Sequence, residues 1–228
     1  MPLEYLYLLA TLPVLIIWLI FFLLRRDLRK EMIELSILIG VLSVLTSYYW
    51  WTVDWWHPPT MTGTRVGIED FLLGFGMGGI MAVIYEVVVA RRYSKRRASS
   101  QGMYGFFVIL FLLAQTTQWL FYGVGITSFY ATTTAMILVS AVMLCIRKDL
   151  IVDAMVSGFL SAIVSMVFYA TIILVSPEWI ENTYIFNTLS GIRVVGVPVE
   201  EFIFWFLAGM VFGPFYEFWK GLRLKKVA

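Results

Sequence analysis

Apolar residues fall along the chain in seven runs, 4–24, 32–49, 71–90, 104–123, 130–146, 154–175 and 199–219, separated by short polar or basic stretches. Runs of roughly 18 to 25 residues can cross a hydrocarbon core about 30 Å thick at 1.5 Å rise per helical residue. The polar–apolar alternation of a membrane barrel is absent, so the runs predict helices, whose backbone groups are satisfied within each segment. The first run lacks a basic start and a small-residue cleavage site and is expected to be a retained span. The pattern predicts an all-α integral membrane protein with seven transmembrane helices.

The polar punctuation repeats. Arg26-Asp27-Leu28 after the first run returns as Lys148-Asp149-Leu150 after the fifth, at an offset of 122. Ile68-Glu69-Asp70-Phe71 returns as Val199-Glu200-Glu201-Phe202, and Tyr85-Glu86 as Tyr216-Glu217, both at an offset of 131. The nine extra residues lie in the sixth run and the loop after it. Runs one to three therefore match runs five to seven. The expected organisation is a first three-helix repeat over 1–98, a linker transmembrane helix over 99–127 and a second repeat over 128–228. Four crossings separate equivalent helices, so the copies run parallel about a pseudo-twofold axis along the membrane normal.

Composition and charge sharpen this picture. Hydrophobic residues make up 61% of the chain and charged ones 14%, against roughly 45 to 50% and 25% in soluble domains. Of the 17 lysines and arginines, all but Arg65 and Arg193 follow the odd-numbered runs. The four clusters are Arg25, Arg26, Arg29 and Lys30; Arg91, Arg92, Lys95, Arg96 and Arg97; Arg147 and Lys148; and Lys220, Arg223, Lys225 and Lys226. The positive-inside rule then predicts a cell-membrane protein with its amino terminus outside and its carboxyl terminus cytoplasmic. Trp50, Trp51, Trp55, Trp56 and Trp179 mark the outer side, where an interfacial belt is the expectation and a substrate role the alternative. The net charge of +2 says little about partners, and no nucleic-acid partner is expected.

The chemistry-bearing residues are the acidic pairs Glu69 with Asp70 and Glu200 with Glu201, which open the third and seventh spans. An ionisable residue at a membrane helix centre costs about 2.5 to 3.5 kcal/mol on insertion scales. A carboxylate in a helix's first turn satisfies free N–H groups, and Pro198 suits a helix start. Neighbouring residues project about 100° apart, however, so capping does not account for both members of a pair. If the axis brings the two spans together, several carboxyl groups converge on one apolar cavity. Like charges there cannot all ionise, which is how an apolar site obtains a proton donor.

Glu86 and Glu217 lie 16 residues further on, roughly 24 Å along the helix. They are expected at the cytoplasmic rim, ion-paired with Arg91, Arg92 and Lys220. Gly74, Gly76, Gly78 and Gly79 follow no strand and predict close helix packing through Gly74 and Gly78. The single Cys145 and single His57 give neither a disulfide framework nor a metal-spaced ligand set. No metal site and no cofactor are expected.

The run Pro198-Val199-Glu200-Glu201-Phe202 resembles the Pro-x-Glu-Glu/Asp motif of the membrane lycopene cyclase domain family, whose units have about three spans with the motif opening the last. The likeness is to the tandem-fused form and covers nearly the whole chain. It weakens in the first copy, where Gly67 stands in the place of Pro198. The resemblance implies a redox-neutral carotenoid (lycopene) β-cyclase. A carboxylic acid protonates a terminal double bond, an internal double bond attacks the cation, and a carboxylate removes a proton. It implies a lipophilic carotenoid substrate beside membrane lipid, with Glu200 and Glu201 as acid and base and Glu69 and Asp70 as partners or a second site. Phe202, Phe204, Trp205, Phe206, Phe71 and Phe75 could supply a π-rich wall for the cation. Arg65 and Arg193 could neutralise a carboxylate or bind headgroups.

The order of acid and base, the number of rings formed, the catalytic repeat and a homo-oligomeric state stay open. Two rivals stay open beside the cyclase: a transporter of the SWEET type, also built from parallel three-helix repeats, and a hydratase trapping the same cation with water. A retinal photoreceptor would need a lysine deep in the last span, and Lys220 sits at its end.

Overall fold

The computed structural model describes residues 3–89, 91–94 and 101–226. Among them are seven helical segments long and apolar enough to cross a membrane: Leu3–Leu24, Arg29–Asp54, Ile68–Val89, Tyr104–Val124, Ser128–Ile146, Lys148–Val175 and Val199–Lys220. The protein is a helical membrane protein with an internal repeat. Ala90 and residues 95–97, expected in the third span and the following basic run, lie outside the described residues.

We label the principal helices α1 (Leu6–Leu24), α2 (Arg29–Thr46), α3 (Ile68–Val89), α4 (Gln101–Gln118), α5 (Ser128–Ile146), α6 (Ile151–Val175), α7 (Val199–Phe212) and α8 (Phe215–Lys220). The seventh span is α7 and α8 joined at Gly213 and Pro214, where proline interrupts the helical hydrogen-bond ladder. Within the first repeat α2 and α1 pack on α3; within the second α6 and α5 pack on α7. Across the repeats α1 and α3 pack against α6, and α3 against α7. The third and seventh spans are the most enclosed, 72% and 61% buried against 11% for the fourth. Helix α4 rests on α5 and α8 at the side of the bundle.

Small residues set these approaches. A Cβ on Gly78 would collide with Ile39, and one on Gly74 would meet Ser43 and the Ile39 carbonyl, so the expected glycine face is the α2–α3 contact. The second repeat uses Gly158 and Gly209, where a Cβ on Gly209 would meet the Ser157 carbonyl at 2.6 Å and the Gly158 Cα at 2.8 Å.

The two ends of the bundle are built differently. At the basic end the strands β1 (Arg91–Ser94) and β4 (Arg223–Lys226) pair antiparallel, tying the exits of the third and seventh spans. At the opposite, tryptophan-bearing end the loops of the two repeats interlock. His57 N–H donates to the Thr183 carbonyl (2.7 Å) and Ile185 N–H to the Trp55 carbonyl (2.9 Å). Ser128 N–H donates to both Asp54 carboxylate oxygens at 3.1 Å. A tight hairpin of β2 (Arg193–Val194) and β3 (Val197–Pro198) then leads into α7, turning through Val195 and Gly196 at φ 50° and 82°.

The tryptophans correct the belt expectation. Trp55, Trp56 and Trp179 are buried in the core, and Trp50 and Trp51 are half-buried. A π-helical turn over Ser47–Trp51 ends α2. Its wider winding shifts the residues after it around the helix axis, away from the register that α2 alone would give.

Packing at the α6–α7 crossing yields a test. Gly209→Val is expected to destabilise the protein by about 1 to 3 kcal/mol through overpacking against backbone. It should lower the unfolding temperature in detergent, followed by tryptophan fluorescence. Gly76→Ala, whose Cβ meets only the Val14 and Leu15 side chains at 3.1 and 3.2 Å, should lower it less.

Candidate active site

The acidic pairs occupy the first turns of α3 and α7, and all four carboxyl residues are buried. The first member of each pair turns back to the preceding loop. Glu69 Oε1 accepts the Met61 N–H (2.7 Å), and Glu200 Oε1 accepts the Ser190 N–H (2.6 Å). Both bonds satisfy a loop donor and fasten the chain ahead of the helix.

The second members separate in role. Asp70 Oδ2 accepts the Gly67 N–H at the head of α3 (3.0 Å), half of a capping box. Its Oδ1 accepts the hydroxyls of Ser47 (2.8 Å) and Tyr7 (3.3 Å). Glu201 stands at the equivalent place in α7, but Pro198 replaces Gly67 there and proline has no N–H to offer. The Glu201 side chain turns inward instead. Its Oε2 accepts a short hydrogen bond from the Tyr169 hydroxyl, which in turn accepts one from Tyr184 (3.3 Å). Burial, with the Glu201 carboxylate nearby, pushes the Tyr184 phenol well above its ordinary range, so it remains a donor at neutral pH. Glu201 Oε1 is buried with no hydrogen-bond partner.

Glu201 borders a cavity of about 360 Å³ in the tryptophan-bearing half of the bundle. Of the four paired carboxyl residues, Glu201 is the one that lines it. Its aromatic wall is formed by Trp51, Trp55, Trp56, Phe204 and Trp205. Phe204 sits edge-on to Trp51 and Trp55 at ring-centre distances of 5.2 and 5.1 Å. The cavity continues between α2, through Ile39, Leu42 and Thr46, and α4, through Leu110, Leu113 and Thr117. The lining is almost wholly apolar, so a cationic species inside meets π faces and one carboxyl group instead of water.

Several residues expected at the site are placed elsewhere. Phe71 and Phe75 pack on each other with tilted rings, Phe75 also lies against Trp18, and neither lines the cavity. Phe202 is half-buried against Tyr169, outside the lining, and Phe206 is likewise absent from it. Arg65 donates to Thr52 (2.6 Å) and lies over the Tyr48 ring. Arg193 pairs with Glu181, holding that carboxyl below the usual carboxylate range, and lies over Phe186. Tyr169, Tyr184, Tyr7 and Ser47 were not singled out from the sequence. The 122-residue offset aligns Ser47 with Tyr169, both of which hold the second acid of their copy, so the repeat carried the signal.

The lycopene cyclase family model matches residues 4–88 and 127–219, that is, most of both repeats. No curated protein and no solved structure matches the chain.

The loop fastening gives a prediction. Glu200→Ala removes the acceptor of the Ser190 N–H; Ser190 is exposed and its donor can turn to water, so the loss is that of one hydrogen bond, about 0.5 to 1.5 kcal/mol. Amide hydrogen exchange should quicken around Ser190 and Ile192, whereas Tyr169→Phe should leave exchange there unchanged.

Proposed function

The chain belongs to the lycopene cyclase family, and on that premise we propose that it is a carotenoid β-cyclase, closing acyclic ends of a lycopene-like hydrocarbon into β-ionone rings. The observation that carries this reading is Glu201, which lines an aromatic, largely apolar cavity, with one oxygen held by a tyrosine relay and the other buried without a hydrogen-bond partner. Family membership favours catalysis over the transporter alternative.

In the proposed reaction Glu201 delivers its proton to the terminal double bond, producing a tertiary carbocation. The internal double bond supplies an electron pair that forms the ring C–C bond and moves the positive charge into the ring. The Glu201 carboxylate, positioned by Tyr169 and Tyr184, then takes the adjacent ring proton, and its C–H electrons become the ring double bond. One proton enters and one leaves, so product and substrate are isomers and no redox partner is used. Trp51, Trp55, Phe204 and Trp205 stabilise the cation, each by about 0.5 to 2 kcal/mol. Phe204 and Trp205 are the expected substrate contacts that this reading retains. Asp70 and Tyr7 brace the aromatic layer, since Tyr7 packs edge-on against Phe168, the neighbour of Tyr169. The rest of the hydrocarbon leaves the cavity between α2 and α4 toward the bilayer. The basic end faces the cytoplasm, in line with the positive-inside rule.

Expression in a lycopene-accumulating bacterium tests the reading by pigment analysis. Ring-bearing carotenoid should appear, and Glu201→Gln should reduce it at least about 100-fold, the usual scale of a general acid. Unchanged lycopene from folded wild-type protein, or full activity of Glu201→Gln, overturns it. Detergent-solubilised protein should still cyclise, which a transporter has no means to do.

Pro198 gives a separate expectation. Pro198→Gly restores a backbone N–H within reach of residue 201, drawing the carboxylate toward a capping bond. Ring formation should fall several-fold with the fold intact by circular dichroism.

A further inference from the structure

A second buried carboxylate cluster lies at the basic end, 16 residues along α3 and α7–α8 from the acidic pairs. Its members are Glu86 near the end of α3, Asp153 in the first turn of α6 and Glu217 in α8, with Glu31 in the first turn of α2 also buried. The repeat relates them in two pairs: Glu31 with Asp153 at the 122 offset, Glu86 with Glu217 at the 131 offset. The expected ion pair with Lys220 at the cytoplasmic rim is not what forms. Glu86 is 1% exposed and Glu217 fully enclosed, while Lys220 pairs with Glu34 at 3.5 Å. The side chains of Arg91 and Arg92, the other expected partners, lie outside the described residues.

One carboxylate oxygen from each of Glu86, Asp153 and Glu217 lies within 4.8 Å of the other two. Both oxygens of Glu86 are buried without a hydrogen-bond partner. Asp153 Oδ1 accepts from Ser157 (2.9 Å), and its Oδ2 also has none. An acceptor left unsatisfied inside a bundle is costly and signals an ion or water. The backbone around the cluster is fixed symmetrically: Arg25 donates to the Glu86 carbonyl (2.7 Å) and forks onto Asp27, and Arg147 donates to the Glu217 carbonyl (3.3 Å) and forks onto Asp149.

We propose that Glu86, Asp153 and Glu217 form a binding site for one hard divalent cation of the Mg²⁺, Mn²⁺ or Ca²⁺ class. Oxygen ligands sit about 2.0 to 2.6 Å from such ions, so three oxygens within 4.8 Å of one another can all reach a single ion. The donor set is all carboxylate, which favours hard cations over the softer Cu and Zn. The ion ties the exit of α3 and the start of α6 to α8, joining the two repeats at the end remote from the cavity. The assignment does not depend on the reaction proposed above.

The test uses the full chain in a non-ionic detergent, stripped with chelator and desalted, and titrated with Mn²⁺ alone. Electron paramagnetic resonance should show one immobilised Mn²⁺ per chain, displaced by Ca²⁺, with the unfolding temperature rising by several degrees. Glu86→Gln should lose both effects, and Glu34→Gln, outside the cluster, should keep them. Wild-type protein that immobilises no Mn²⁺ overturns the proposal in favour of carboxyls sharing protons, whether or not Glu86→Gln folds. Binding that survives in folded Glu86→Gln overturns it as well.

Discussion

The arrangement of this bundle follows from one constraint: carboxyl groups enclosed among apolar helices must be met by donors or by a counter-charge. Near the head of α3 backbone and hydroxyl donors suffice, and Asp70 is met by Gly67, Ser47 and Tyr7. At the head of α7 the proline removes one donor, and Glu201 finds a phenol on the neighbouring helix. One missing N–H thus separates a capped acid from an acid that borders a cavity. The first members, Glu69 and Glu200, meet the same constraint by binding the preceding loops, which positions the helices that carry the second members.

Much of this was legible in the chain. Run length set the seven spans, because a hydrocarbon core demands it, and the paired acids and basic clusters exposed the repeat. The glycine face at Gly74 and Gly78 was readable from spacing. What escaped depends on contacts between distant segments. The π-turn at Ser47–Trp51 has no strong sequence mark, yet residues beside and within it supply the inward tryptophans, so an interfacial belt was expected instead. Tyr169 and Tyr184 gain their role only once α6 and the loop after it lie against α7.

Glu86 and Glu217 illustrate the same limit. Sequence places them near basic residues, and proximity along the chain suggested ion pairs. Folding instead turns them toward the interior, where α3, α6 and α8 meet. A repeat with parallel halves makes this convergence natural, because equivalent side chains at one depth are brought around a common axis. At the other end the related acids are each held by donors of their own copy, and only Glu201 borders the cavity.

The asymmetry between Gly67 and Pro198 carries a consequence for traffic through the molecule. Only one of the two related acids borders the cavity, so under the proposed reaction a hydrocarbon with two identical ends presents them one after the other. After the first closure it must withdraw into the lipid, reverse end for end and enter again. The half-finished product is then a free species in the bilayer, open to capture by any other membrane enzyme that meets it first.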